Sequence, residues 1–270
     1  MQSINEKELK KRFYWRALKR MPYRLYTICN FILLSSRFKK VTKNNIEVIR
    51  DKHKGETIYI YGSGPSLDTY PEEFLDNKLS MSLHMAYMKY KNPTYTHITE
   101  SDRIEWFKEN HPDFFNTQGL YCDPLFPLMP LDSILKDIDL KTPPYYLKYN
   151  PRALKINNIE KEFKAALLGR DFRYHSNNTC LHAAIWCAII LGFKTIEIIG
   201  CDFASKNGKH YSNDTNVKDT RQRPNEFFEN AYIKMNIFTK EIINIAEKYN
   251  IEINRYLDYT DYKLNITTFD

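Results

Sequence analysis

The sequence predicts an α/β fold, a Rossmann-like and mostly parallel sheet with helices on both faces, and three observations carry that expectation. An apolar, β-branched run at 57–61 breaks into Gly62, Ser63, Gly64, Pro65 and Ser66, which reads as a buried strand ending in a tight glycine turn. Strand-like runs then alternate with helical segments, as successive βαβ units do. Late in the chain a segment that is apolar nearly all round, 180–191, is followed by the strand-like TIEIIG at 195–200. Open parallel sheets bind ligands at the carboxyl ends of their strands. Chemistry is therefore expected at the turn after 57–61 and at Cys201, Asp202 and Phe203 after 195–200.

Taken in order, residues 1–54 are expected to form a basic amphipathic helical arm, with 44–54 as a polar connector, and 55–270 the folded domain. The strand at 57–61 leads to a helical segment around 71–75, an apolar run at 79–85 and a third strand at 95–99. Ser101 or Asp102 can start a short helix over 101–110, where apolar residues recur at helical spacing. A further strand is read at 119–122. Between 123 and 170, Pro124, Pro127, Pro130, Pro143, Pro144 and Pro151 forbid one long regular element, and the interspersed Tyr and Phe point to a packed insertion or a lid. Regularity returns at Ser176. Asn177, Asn178 or Thr179 can cap the helix at 180–191, and Gly192 ends it. The loop at 204–214 is rich in turn formers and carries Lys206, Lys209, His210 and Tyr211. A long amphipathic helix at 226–249 and a closing strand at 251–253 complete the chain.

Charge separates the arm from the rest. Residues 1–54 hold 15 Lys or Arg against 4 Asp or Glu, a net of +11, which leaves −4 for the remainder of a chain whose total is +7. Within the arm, the 14 residues YRLYTICNFILLSS at 23–36 carry one charge, Arg24 near their start, and are flanked by Lys19 and Arg20 and by Arg37, Lys39 and Lys40. A spanning helix needs about 20 residues, and no small-residue cleavage site follows as in a signal peptide. Basic residues beside Tyr, Phe and Leu suit a helix lying on an anionic membrane surface, at about 1 kcal/mol for each well-placed cation. A docked helix with a solvated basic face accounts for the same pattern. No motif or basic-aromatic repeat supports nucleic-acid binding. The five cysteines, Cys29, Cys122, Cys180, Cys187 and Cys201, are widely spaced without a CxxC pair, so neither a zinc site nor a disulfide framework is expected, and a reducing cytoplasm is. The 20 Tyr and 16 Phe can supply both packing and hydroxyl contacts to a polar ligand.

In the turn itself, the two glycines let backbone approach a ligand and Pro65 stiffens the path. Ser63 or Ser66 can cap the following helix while N–H groups face an anion such as a nucleotide phosphate. An ordinary strand-to-helix turn has the same residues, because the stretch is neither G-x-G-x-x-G nor a P-loop.

Two separated stretches, GSGPSL at 62–67 and NNTCLHAAIWCAIILGFKTIEIIGCDF at 177–203 continued by NGKHY at 207–211, resemble the small bacterial sialyltransferases that modify lipooligosaccharides. They are similar also to the flagellin-modifying nonulosonate transferases and to the pterin pyrophosphokinase-like proteins of the same Rossmann-like core. The resemblance implies a single-domain, GT-A-like transferase over about 56–253. It places Gly62, Ser63, Gly64, Pro65 and Ser66 along the nucleotide, with Ser63 standing where those enzymes use asparagine. Thr179 and Cys180 fall at a threonine-serine pair beside the donor, so a thiol replaces one hydroxyl, a weaker hydrogen-bond partner. Asp202 matches the strand-end aspartate. Tyr211 corresponds to a phosphate-binding tyrosine that stabilises the leaving CMP without a metal, and His84 stands near a nucleotide-binding asparagine. The family's histidine ahead of the C-terminal helix has no counterpart, since 213–230 contains none.

Glycosyl transfer needs a group that takes the acceptor's proton, and a histidine with a pKa near 6.5 suits neutral pH. His210 is the first choice. Asp202 can serve as that base or can merely orient the loop, and His182 on the apolar helix is a core histidine or a ligand orienter. Arg173 and Lys209 can pair with a sugar carboxylate or with phosphates. The expected activity is an inverting glycosyltransferase moving a sialic-acid-like or Kdo-like sugar from a CMP donor to a bacterial surface glycan such as lipopolysaccharide or lipooligosaccharide. It is expected to need no metal or other cofactor and to sit peripherally on the inner face of the cytoplasmic membrane, its oligomeric state left open. The alternative is a Mg-ATP-dependent pyrophosphokinase acting on 6-hydroxymethylpterin, and a non-enzymatic nucleotide- or membrane-binding module is the third class.

Overall fold

The computed structural model describes residues 46–99, 101–122, 140–142, 144–147, 149–150, 158–169, 174–175, 179–203 and 225–256. The expected arm before Ile46, Arg173, and the loop carrying Lys209, His210 and Tyr211 lie outside the described residues.

Strands β1 (Thr57–Tyr61), β2 (Ser80–Leu83), β3 (Tyr95–Ile98), β4 (Gln118–Cys122) and β5 (Tyr145–Leu147) follow one another in the chain. The short β6 (Tyr149–Asn150) and β7 (Tyr174–His175) pair with each other, and β8 (Thr195–Ile199) and β9 (Glu252–Arg255) close the series. Seven strands form one sheet in the order β5-β4-β3-β2-β1-β8-β9, every neighbouring pair parallel. The α/β fold class and the parallel sheet are those expected.

Among the described residues four helices accompany it: α1 (Ser101–Asn110), α2 (Ile159–Leu167), α3 (Cys180–Ile190) and α4 (Asn225–Glu247). Alternation along the strands assigns the faces. Ile58, Ile60, Met81, Leu83, Ile196 and Ile198 share one buried cluster with residues of α2, α3 and α4. On the opposite side, Ile98 and Tyr121 pack with Ile104 and Phe107 of α1, while Tyr61 and Ile199 pack with Leu67, Tyr70 and Leu75. Each such aliphatic side chain contributes about 1.5–3 kcal/mol on burial. Residues 181–190 of α3 are all buried, which is why the sequence there is apolar on every side. Thr179 caps α3, its hydroxyl accepting from the Leu181 N–H at 3.2 Å. At the other end Gly192 adopts φ +85°, with Gly192 N–H to the Ile189 carbonyl at 3.1 Å and Phe193 N–H to the Ala188 carbonyl at 3.2 Å, the Schellman pairing.

Two expectations are corrected. The segment read as a polar connector is docked from Ile46 onward. Ile46 is buried in a 3-10 turn, Ile46–Ile49, and the N–H groups of Asp51, His53 and Gly55 bond to the carbonyls of Ile190, Leu191 and Gly192. The last carbonyls of α3 lack intrahelical partners and this segment supplies them. The stretch read as an insertion contains β5, a strand of the main sheet, and α2, whose Ile159, Phe163 and Ala166 join the core. Its prolines precede these elements rather than interrupting them. After the glycine turn the chain forms two 3-10 turns, Pro65–Thr69 and Glu72–Leu75, the second at the helical segment expected around 71–75. Among the described residues no helix is long and apolar enough to cross a membrane.

Candidate active site

From β1 the chain steps through β2, β3, β4 and β5 to one side, whereas β8 and β9 lie on the other. The β1/β8 junction is therefore a topological switch point, and the segments leaving these two strands diverge around it. Both motifs singled out in the sequence end there. The Gly62 N–H donates to the Ile199 carbonyl at 2.9 Å and the Gly64 N–H to the Gly200 carbonyl at 2.7 Å, so the glycine turn continues the β1–β8 pairing past the strand ends.

The glycines serve this close approach. A β-carbon on Gly62 would stand 2.5 Å from Cys201 Sγ and 2.6 Å from the Gly200 carbonyl oxygen, and one on Gly64 would stand 2.7 Å from Asp202 Oδ2 and 2.8 Å from the same carbonyl. The bare α-carbons face the tip of β8. The capping expectation is corrected too: Gly64 is the cap of the Pro65–Thr69 turn, without a side-chain bond from Ser63 or Ser66.

Asp202 takes over that duty from 136 residues away. Its Oδ2 accepts the Ser66 N–H at 2.7 Å and its Oδ1 accepts the Ser66 hydroxyl. Asp202 is 2% exposed, so these charge-assisted bonds form where water competes little. With both oxygens engaged by Ser66, the geometry is that of a loop orienter.

His84 follows β2 in the left-handed region, φ +49°. Its Nε2 accepts the Thr99 N–H at 3.3 Å and lies 3.1 Å from the Thr99 hydroxyl, which places the ring proton on Nδ1. Beside it His97 is fully buried, and desolvation first, then the neighbouring His84 ring, lowers its pKa to about 3. Thr179 and Cys180 open α3 at the same edge, because the other end of that helix runs into the start of β8. Burial pushes the Cys201 thiol far up, and neighbouring Cys180 adds to the effect. Within the core His182 donates from Nε2 to the Thr239 hydroxyl at 3.0 Å, since that hydroxyl itself donates to the Met235 carbonyl. Burial, then the charge of Arg255, lowers the His182 pKa to about 3, which fits the core reading.

Gly62, Ser63, Gly64, Pro65, Ser66 and Asp202 are thus joined directly, and His84, Thr179 and Cys180 share their edge of the sheet. Sequence reasoning missed Thr99, Asn236, Phe203 as a strained position with φ +48°, and Arg255. Only an arginine beside the expected closing strand could have flagged the last, and that strand was read as ending two residues earlier.

No protein-family model matches the chain, and no curated protein matches its sequence. Among solved structures, the sialyltransferase CstII from Campylobacter jejuni in complex with the substrate analogue CMP-3FNeuAc aligns over 74% of this chain and 80% of its own, at 17% identity and a TM-score of 0.42. The sialyltransferase CST-II in complex with trisaccharide acceptor and CMP aligns over the same shares, at 16% identity and a TM-score of 0.41. At that level of likeness, an activity has to be inferred from the residues of the carboxyl edge themselves.

Proposed function

We propose that the protein is an inverting glycosyltransferase that moves a sialic-acid-like or Kdo-like sugar from a CMP donor to a bacterial surface glycan. The observation that carries this reading is the Ser66–Asp202 contact, which joins the two stretches of family resemblance at the switch point of a parallel sheet. Gly62, Ser63, Gly64, Pro65 and Ser66 line the nucleotide, His84 lies beside it, and Thr179 and Cys180 flank the donor. In the reaction the acceptor oxygen bonds to the anomeric carbon as the bond from that carbon to the CMP phosphate oxygen breaks. His210 takes the acceptor proton, and Tyr211 donates to the departing phosphate, which needs no metal on this reading.

Release of CMP from CMP-sialate or CMP-Kdo by the purified full chain tests the activity. AMP release from ATP with a pterin alcohol, and no CMP release, would replace it with the pyrophosphokinase alternative. Tyr211→Phe is expected to lower turnover on the order of a hundredfold with an unchanged thermal midpoint. Equal turnover in that variant removes Tyr211 from the site.

The arm is proposed to hold the enzyme on the inner face of the cytoplasmic membrane near a lipid-linked acceptor. A truncation testing this has to end before Ile46, which belongs to the core. Deleting residues 1–45 is expected to weaken binding to phosphatidylglycerol vesicles at least about tenfold, given about 1 kcal/mol per cation near such a surface. Undiminished binding would reject the peripheral arrangement.

A further inference from the structure

Arg255 ends β9 at the edge of the sheet, yet its guanidinium reaches over the tip of β8. Nε and Nη2 donate to the Cys201 carbonyl at 3.0 and 2.5 Å, and Nη2 donates also to the Asp202 carbonyl at 2.8 Å. Nη1 donates to Asn236 Oδ1 at 2.7 Å, and Asn236 Nδ2 in turn donates to the Phe203 carbonyl at 3.4 Å. The guanidinium carbon also lies 4.9 Å from the centre of the Phe203 ring. Three consecutive carbonyls of the tip are therefore held by one planar fork and one amide.

Strand pairing does not require this arrangement. β8 and β9 are already joined from Thr195↔Glu252 to Ile198↔Arg255, and the Tyr256 N–H bonds to the Ile198 carbonyl at 2.9 Å. The fork acts instead beyond the ladder, where Phe203 adopts φ +48°, a backbone state that non-glycine residues hold only when their surroundings impose it. Lysine could not reproduce it, because an ammonium lacks the rigid geometry that spans two carbonyls and an amide at once.

We propose that Arg255, acting with Asn236, is a positioning residue of the candidate site: the pair sets the backbone of residues 201–203 and, through Asp202, the Ser66 end of the glycine turn. The link to nucleotide binding rests on the transferase reading; the link to Ser66 does not. Arg255→Lys and Asn236→Ala test it in the full chain, with amide exchange at Ser66, calorimetric affinity for CMP and the thermal midpoint as readouts.

In Arg255→Lys the Ser66 amide is expected to exchange at least about tenfold faster while amides of β1 and β2 stay within about twofold, a local opening and not a global one. CMP affinity is expected to fall at least about tenfold at a nearly constant midpoint. Asn236→Ala is expected to act in the same direction with a smaller effect, and it decides the question if Arg255→Lys does not fold. Unchanged Ser66 exchange in the variants overturns the proposal, as does equal acceleration of every amide, which would mark a general staple. A wild-type chain that fails to bind CMP refutes the transferase reading, and the exchange result then still decides the role of Arg255.

Discussion

Lowering the pH from 7 to 5 is expected to draw about 4 kcal/mol from the free energy of unfolding through two buried histidines, an effect that the Glu162 carboxyl, pushed up to about 8 by burial and so protonated in the fold first, partly offsets. His97 and His182 are 0% and 1% exposed, and both have folded pKa values of about 3. In the unfolded chain each titrates near 6.5. Above that value both states hold the neutral ring and nothing is lost. Below it the unfolded chain takes up protons that the folded chain refuses, so stability falls as the pH falls, and the decline ends only near the folded values. Between 6.5 and 5 the loss is about 2 kcal/mol for each ring, at 1.36 kcal/mol per unit. His53, whose pKa is also lowered chiefly by burial, acts in the same direction. Urea titrations at pH 7, 6 and 5 measure the slope, and replacing His182 with leucine is expected to remove about half of it. A slope left unchanged by that replacement would mean that the His182 ring is hydrated in the fold.

Gly64→Ala is expected to destabilise the protein by about 1–3 kcal/mol, the usual penalty for overpacking, and to weaken CMP binding at least about a hundredfold. The new methyl group would meet Asp202 Oδ2 at 2.7 Å and the Gly200 carbonyl oxygen at 2.8 Å. Neither can yield easily: the carboxylate is fixed by Ser66 and the carbonyl accepts the Gly64 N–H itself. The turn and the β8 tip have to part, which breaks the junction on which the site depends. Ser63→Ala, at a half-buried neighbour, is the control and is expected to change stability by less than about 0.5 kcal/mol. An alanine variant with an unaltered midpoint would show that the two backbones are not in contact.

Much of the framework was legible because local patterns and tertiary needs agree. The run TIYIY alternates β-branched and aromatic residues, and the two sets face different clusters across β1. Thr179 and Gly192 mark the ends of α3 by cap chemistry that depends only on neighbouring residues. Legibility failed where a residue's role is set by a distant partner. Ile46 sits among charges in the sequence, and only the unsatisfied carbonyls at the end of α3 explain why that segment docks. The prolines at 143, 144 and 151 conceal β5 and α2 because periodicity over so few residues is weak. At the site, the glycines announced a close approach but not what approaches. Arg255 was invisible because its work is done on a neighbouring strand's tip.

A parallel sheet gives a molecule two unlike poles. Ile46 enters the body at the pole where strands begin, next to the end of α3, whereas the Ser66–Asp202 junction lies at the pole where strands finish. Five residues of β1 separate the two, about 17 Å at 3.3 Å per residue. The chain that precedes Ile46 therefore joins the body on the side of the sheet away from the glycine turn.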